Sequence, residues 1–336
     1  MGGFFVKYKN LIIDYLTFST KIDTVDSIKE FLGFADLPFQ QLKGRYFYKD
    51  RLYFEGINIY YNGFNDDMGI CVELSGKGCR NFEQLGTGDY MEVFSYINAN
   101  KGDLNITRLD IAYDDFDKLL DFDYIENEIK KGHYLSRFKK FKVEREYSKN
   151  ADKRSFCIYF GSKNQSDTLF RMYDKRAEQM RFDIEHWVRF EIQLRNDRAN
   201  CFLQLLVSGN ELGKLFVGVI NNYIRFIVPS DTDTNLSRAK TADFWLKFLE
   251  TFEKVSLYIP DYYYDETKLE RFVKQQVSGS IVTFIALFGF NKFRDIINGK
   301  SQFNLNPKYE LLLQSHGINN IHDLFKSDWW NTYDCN

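Results

Sequence analysis

Proline and histidine are scarce in this 336-residue chain, at 4 residues each, and cysteine amounts to 5 scattered residues. With so little proline, 44% hydrophobic residues and 27% charged ones, the collagen-like, disordered and coiled-coil classes are excluded. Cys71, Cys79, Cys157, Cys201 and Cys335 never stand as C-x-x-C, so neither a zinc ribbon nor a disulfide framework is signalled. Reduced, mostly buried thiols of a cytosolic protein are the expectation. His133, His186, His316 and His322 form no H-x-H or H-E-x-x-H motif. There is no Walker A loop and no G-x-S-x-G elbow, and GKGCRN at Gly76–Asn81 lacks the last glycine of the dinucleotide fingerprint. The longest apolar run, Ile281 to Phe290, falls far short of the ~18 residues that a membrane span needs. The apolar start is interrupted by Lys7, Lys9 and Asp14 before a signal-peptide core can form, and Val6 stands where a myristoylation signal wants Ser or Thr. A soluble, cytoplasmic protein without membrane contact is expected. A net charge of -2 argues against a protein that coats DNA through charge alone, so any nucleic-acid contact should be local.

Aromatic residues are what the chain has in excess, with 33 Phe and 22 Tyr. Such residues favour pleated, half-buried surfaces, which predicts a substantial sheet, and the length allows two domains or one large one. From Val6 to about Ala99, short aromatic segments such as RYFYKDRLYF and GINIYYNGF alternate with Gly, Asn and Asp turns and read as antiparallel strands. Ser27–Gly33 and Asn81–Asn98 read as helices on that sheet, with GKGCRNFEQLGTG as a Gly-rich link. Residues 100–200 repeat the style, with strands at Leu104–Tyr113 and Trp187–Arg195 and a helix at Asp121–Gly132. After about 200 the periodicity turns helical, at 209–225 and at Thr241–Lys254. The expected fold is therefore α+β, a large mostly antiparallel sheet with helices packed on it. Its expected organisation is a domain over 1–200, in two sheet halves (1–99 and 100–200), and a helical region over 201–336.

Three predicted strands aim polar groups in one direction. In LNITRLDIAYDD, Arg108, Asp110, Ala112 and Asp114 share a face, and a carboxylate inside so apolar a strand is costly unless paired or ligating a cation. Asp110 and Asp114 stand roughly 13 Å apart on an ideal strand, so Asp110 is the better candidate ligand, with Asp114 or Asp115 second. In WVRFEIQLR, the alternate face carries Trp187, Arg189, Glu191, Gln193 and Arg195. In TLFRMYDK, Arg171, Tyr173 and Lys175 project together, and cations beside a phenol favour phenolate, as a nucleophile toward a phosphodiester requires. Structural salt bridges account for the same charges equally well. Between Lys130 and Arg154 ten cations face three acids, with aromatics among them, which suits phosphate contact and base stacking or simply a solvated strand.

The succession ITRLDIAYDDF, YFGSKNQSDTLFRMYDKRAEQ, WVRFEIQLRND, RFIVPSDTDTNLSRAKTADFWLKFL and VKQQVSGSIVTFIALFG resembles the rolling-circle replication initiators of small Gram-positive plasmids. That family includes relaxases of integrative conjugative elements and phage initiation proteins, and the resemblance spans about residues 10 to 300. It implies a large curved sheet and site-specific DNA nicking at a double-strand origin. The nicking tyrosine forms a 5′-phosphotyrosyl link and leaves a 3′-OH primer. The tyrosine position falls on Tyr173, with Tyr159 as the fallback. Asp110 and Glu191 match the family's acidic residues and are expected to hold Mg²⁺ or Mn²⁺, an all-oxygen site in the absence of a His pair. Lys175 and Arg171 are expected to stabilise phosphate charge, Arg189 to hold the scissile phosphate or Glu191, and Glu178 to be a ligand, a base or a surface residue. Lys139, Lys140, Lys142, Arg145, Arg154, Lys163 and Arg195 are the expected DNA contacts. Some members carry an N-terminal helix-turn-helix extension that is not seen here. Duplex recognition would then fall to the sheet face, the 130–154 stretch or the C-terminal helices. The region after 200 is expected to carry origin specificity or dimerisation, a host replicative or repair helicase is an implied partner, and Tyr262–Tyr264 read as packing or stacking groups. A catalytically idle origin-binding protein of the same fold is the alternative.

Overall fold

The computed structural model describes residues 11–147, 149, 153–162, 166–230, 235–252, 273, 277–299, 313 and 317–318. Its strands are β1 (Leu11–Thr20), β2 (Gln40–Lys43), β3 (Tyr48–Phe54), β4 (Ile57–Gly63), β5 (Ile70–Leu74), β6 (Leu104–Asp115), β7 (Tyr134–Ser136), β8 (Phe141–Tyr147), β9 (Lys153–Phe160), β10 (Thr168–Asp174), β11 (Val188–Arg195), β12 (Ile224–Val228) and β13 (Lys240–Thr241). The helices are α1 (Val25–Phe31), α2 (Gly76–Leu85), α3 (Tyr90–Ala99), α4 (Phe122–Lys131), α5 (Lys175–Gln179), α6 (Asn196–Val207), α7 (Leu212–Tyr223), α8 (Asp243–Glu250), α9 (Ser278–Phe288) and α10 (Phe290–Gly299). Ten strands form one antiparallel sheet in the order β2-β3-β4-β5-β1-β6-β11-β10-β9-β8. The β1–β6 pairing is its seam, with strands from residues 11–74 on one side and those from 104–195 on the other. A small second sheet runs β13-β12-β7.

One face of the large sheet is the core, and the alternation of β11 shows why. Val188, Phe190, Ile192 and Leu194 are all buried on that face. Phe190 meets Phe216 of α7 and Trp245 and Phe248 of α8 at ring separations of 6.3, 6.2 and 5.3 Å. Each such side chain contributes about 1.5–3 kcal/mol by leaving water, so the helices that follow residue 200 belong to the sheet's own core. The first compact unit accordingly extends to Tyr258, beyond the division expected at 200, and Ile259–Asn336 form a second. Within the second, α9 and α10 meet at Gly289, where φ is +84°, and Phe284 packs 4.8 Å from Phe288. Among the described residues no helix is long and apolar enough to cross a membrane.

Two local expectations are corrected. The Gly-rich stretch at 76 is helix α2 rather than a link, because Gly78 lets its first turn approach the backbone of Gly56, where a Cβ would sit 2.3 Å from the carbonyl oxygen. The helix expected over Asn81–Asn98 is two helices, interrupted at 86–89, where Asp89 caps α3 by accepting from the Glu92 N–H at 2.9 Å.

Candidate functional site

The face of the large sheet opposite the Phe190 core carries a cleft of about 1090 Å³. Strand register decides which groups enter it. Tyr173 lies opposite Arg189, and Arg189 opposite Asp114, while Arg171 lies opposite Glu191, and Glu191 opposite Ala112. Residues two apart share a face, so Arg171 and Tyr173 of β10, Arg189 and Glu191 of β11, and Arg108, Asp110 and Asp114 of β6 converge. Sequence periodicity brought these residues together correctly. Ala112 lies opposite Glu191, whose carboxylate stands beside that of Asp110, with Arg171 between them.

Both acids are nearly inaccessible, at 1% exposure each, so their charge is the dominant fact of the site. Arg108 clamps Asp110 through Nε at 2.9 Å and Nη2 at 2.5 Å, and its guanidinium lies 3.8 Å from the Tyr15 ring centre. Arg171 Nη2 bonds Glu191 Oε1 and stands 3.6 Å from Asp110 Oδ2. Burial, followed by the neighbouring Asp110 charge, nevertheless pushes Glu191 up to about 7, with Arg171 opposing. The Tyr173 hydroxyl donates to Glu191 Oε2 across 3.4 Å.

Tyr173 corrects the expectation of a ready phenolate. Its pKa is raised well above the ordinary tyrosine value, first by burial and then by the Glu191 charge, and Arg189 opposes only in part. Tyr173 is a protonated phenol with a carboxylate facing it. Lys175 does not extend the strand as expected. Asp174 accepts from the N–H groups of Arg176 and Ala177 and opens α5 there. Lys175 then pairs with Glu178 one turn on, its Nζ 5.5 Å from the Tyr173 ring centre. Tyr159 lies opposite Arg171 in the same cleft, where burial, with Cys157 and Glu144 beside it, raises its pKa.

Arg189 holds neither a free position nor Glu191. Its Nε and Nη2 bind both Asp114 oxygens at 2.7 Å, and Nη1 binds Asp14 at 2.7 Å. Asp114 is thereby engaged by Arg189 rather than by the Asp110–Glu191 pair. Asp14 escaped sequence reasoning, although a lone carboxylate in the apolar run LIIDYLTF was its signal. It sits where the β1–β6 register shifts between Ile13 and Tyr15. Removing the cation from this buried clamp leaves two carboxylates unpaired, so Arg189→Leu should lower the unfolding free energy by about 3 kcal/mol in a denaturant titration. A loss below about 1 kcal/mol would mean that solvent already screens the clamp.

Two residues that line this cleft each hold a buried donor with no hydrogen-bond partner, Arg171 Nε and Trp187 Nε1. A buried unsatisfied donor costs about 1–3 kcal/mol, and a pair of donors in one cleft calls for an acceptor-rich, anionic ligand.

The expected DNA contacts separate into two groups. Lys142 pairs with Glu144, and Arg145 turns to Asp123 and Glu126 of α4 with its guanidinium 4.5 Å from the Phe156 ring centre. Their charge is spent within the protein. Lys139 and Lys140 are exposed and have no described carboxylate partner, and with Arg137 and Arg198 they line a second cleft of about 380 Å³. Arg195 stands at the end of β11, its N–H donating to the Asp167 carbonyl at 2.8 Å. Lys163, the Arg154 side chain and Tyr262–Tyr264 lie outside the described residues.

Comparison with known proteins follows the same lines. Residues 104–299 match the family model described as Replication initiation factor, and residues 10–99 match that of the Rolling Circle replication initiation protein N-terminal domain. The chain is 29% identical over 262 residues to the Bacillus subtilis protein "Putative DNA relaxase NicK", covering 74% of this chain and 73% of that protein. It also resembles the structure of a rolling circle replication initiator protein from Geobacillus stearothermophilus. The TM-score is 0.69 at 33% identity, over 75% of this chain and 99% of the other.

Proposed function

The chain belongs to the replication initiation factor family, and from that premise we propose that it nicks and transfers one DNA strand at a rolling-circle origin, with Tyr173 as nucleophile. The observation that carries the reading is the pairing of a half-buried phenol with a buried carboxylate tuned near neutrality, Tyr173 with Glu191, in one cleft. Glu191 Oε2 takes the phenol proton as Tyr173 Oη attacks phosphorus. The P–O3′ bond breaks, the 5′-phosphate stays on Tyr173, and the same proton can pass to the departing O3′ to leave a 3′-OH. The part-exposed Arg171 guanidinium neutralises the charge that accumulates on the non-bridging oxygens.

Asp110 and Glu191 fit a divalent ion in donor chemistry. They are two neighbouring hard-oxygen groups, both within reach of Arg171, and Mg²⁺ commonly takes one or two carboxylates and completes its shell with water and substrate phosphate. Among the described residues no group of three or more His, Cys, Asp or Glu could hold a metal, so the rest of the shell would be water and phosphate. Mg²⁺ or Mn²⁺ there would withdraw electron density from the scissile phosphate. A host helicase, a second copy of the chain and origin specificity carried after residue 200 complete the reading.

The test is covalent trapping. The full chain is incubated with Mn²⁺ and single-stranded oligonucleotides tiled across its gene's own neighbourhood, then run on a denaturing gel. A shifted band on one oligonucleotide supports the reading, and its absence on every single-stranded and supercoiled substrate favours an origin-binding protein without catalysis.

The exposed group Arg137, Lys139, Lys140 and Arg198 serves the flanking duplex. Each phosphate contact contributes about -0.9 to the slope of log K against log salt. Replacing all four by Gln should therefore make the slope for duplex binding shallower by about three to four. Lys142→Gln, which removes a charge already neutralised by Glu144, should leave it unchanged.

A further inference from the structure

The turn between β2 and β3 holds two aromatic residues in a conformation that aromatic residues avoid. Tyr46 and Phe47 have φ values of +54° and +69°. The turn is tight, with the Tyr48 N–H donating to Arg45 O at 3.0 Å and the Gly44 N–H to Lys49 O at 2.8 Å. Hairpin turns with both central residues at positive φ are the province of Asn-Gly, because a bulky side chain crowds its own carbonyl there. Among the described residues the one ring contact to a buried residue, Tyr46 against Tyr60 at 5.5 Å, repays little of this strain. Tyr46 is 63% exposed and Phe47 76%, and beside them Phe64, whose N–H donates to Phe47 O at 3.0 Å, is 65% exposed. A persistent backbone outlier with exposed apolar side chains points to function.

The position and charge of the turn identify the occupant. The Tyr46 ring stands edge-on to Tyr60 at 5.5 Å, and Tyr60 donates to Glu73, which lies opposite Thr17, two residues along β1 from Tyr15 of the cleft wall. The turn therefore lies on the cleft face of the sheet. Five strand spacings separate β4 from β10, roughly 24 Å at about 4.8 Å each. Residues 43–51 carry four cations, Lys43, Arg45, Lys49 and Arg51, and one acid, Asp50, which accepts from Asn62 Nδ2 at 2.6 Å. Aromatic faces interleaved with cations match the alternating bases and phosphates of a single strand, whereas an apolar protein surface would leave those charges unmet.

We propose that Tyr46, Phe47 and Phe64 form a stacking platform for unpaired bases of the DNA strand that leads to or from the nicking cleft. This rests on the origin-nicking reading and adds a second contact to it. The decisive variant is Tyr46→Asn/Phe47→Gly, which installs the dipeptide the turn geometry prefers, so that folding should be unharmed and the Tm equal or higher. The full chain and the variant are titrated into fluorescein-labelled (dT)20 and into a random-sequence 20-base-pair duplex. The expected result is a 10- to 100-fold rise in Kd for (dT)20, with its salt slope unchanged and duplex affinity unaltered, because stacking releases no counterions. Equal (dT)20 affinity in variant and wild type overturns the proposal. So does a wild-type dimer that dissociates in the variant while (dT)20 binding persists, which would make the turn a protein interface. Failure of the nicking reading would show separately, as a wild-type chain that forms no covalent adduct.

Discussion

Tyr173→Phe should abolish the covalent protein–DNA adduct, with residual nicking lower by about 10⁴-fold or more, the scale seen when a nucleophile is removed from a covalent mechanism. The substitution isolates one atom. Phe retains the ring that Arg171 and Lys175 approach at 5.9 and 5.5 Å, and only the 3.4 Å hydrogen bond to Glu191 disappears. Removing a half-buried hydroxyl whose single hydrogen bond spans 3.4 Å should hardly change stability. Affinity for the uncut DNA should persist, because the four exposed cations remain. A variant that binds but does not link is therefore the expected phenotype. An adduct that survives Tyr173→Phe would move the nucleophile to Tyr159, which shares the cleft, and Tyr159→Phe would then eliminate it.

The face of each strand was legible because a two-residue period leaves little freedom once the apolar side is known. Val188, Phe190, Ile192 and Leu194 place Arg189 and Glu191 on the opposite side, and the structure follows. Partner choice was not legible, because it depends on register between strands distant in sequence. Asp14 reaches Arg189 beside the register shift in the β1–β6 pairing, and Arg189 thereby clamps Asp14 and Asp114 together. The orientation of Arg145 escaped for a related reason. It lies on the core side of β8, where α4 supplies Glu126 and Asp123, and sequence density of charge does not reveal which cations are already matched. The protonation of Tyr173 was misjudged because flanking cations in sequence say nothing of burial, and burial is the larger influence here. The boundary expected at residue 200 failed because helical periodicity marks a change of element, while Phe216, Trp245 and Phe248 show that the core continues across it.

Glu191→Gln should lower the rate of adduct formation by about 10²- to 10⁴-fold, the usual worth of a positioned general base, and should flatten its pH profile. In the wild type the free enzyme should gain activity as pH rises through about 7, because only the ionised carboxylate can accept the Tyr173 proton. Stability runs the other way. The folded Glu191 pKa lies above the ordinary 4.5, so the folded state holds this proton more tightly than the unfolded chain does. Its contribution is therefore fully present below 4.5 and is lost as pH rises through about 7. Gln keeps the shape and an acceptor for Arg171 but cannot titrate, so the variant's unfolding free energy should lose that part of the decline between pH 4.5 and 7. The combination separates roles that a single rate would confuse. A pH-independent rate with a flattened stability slope identifies Glu191 as the base. An unchanged pH profile with the same loss of rate would leave it only a role in holding Arg171 and Asp110 in place.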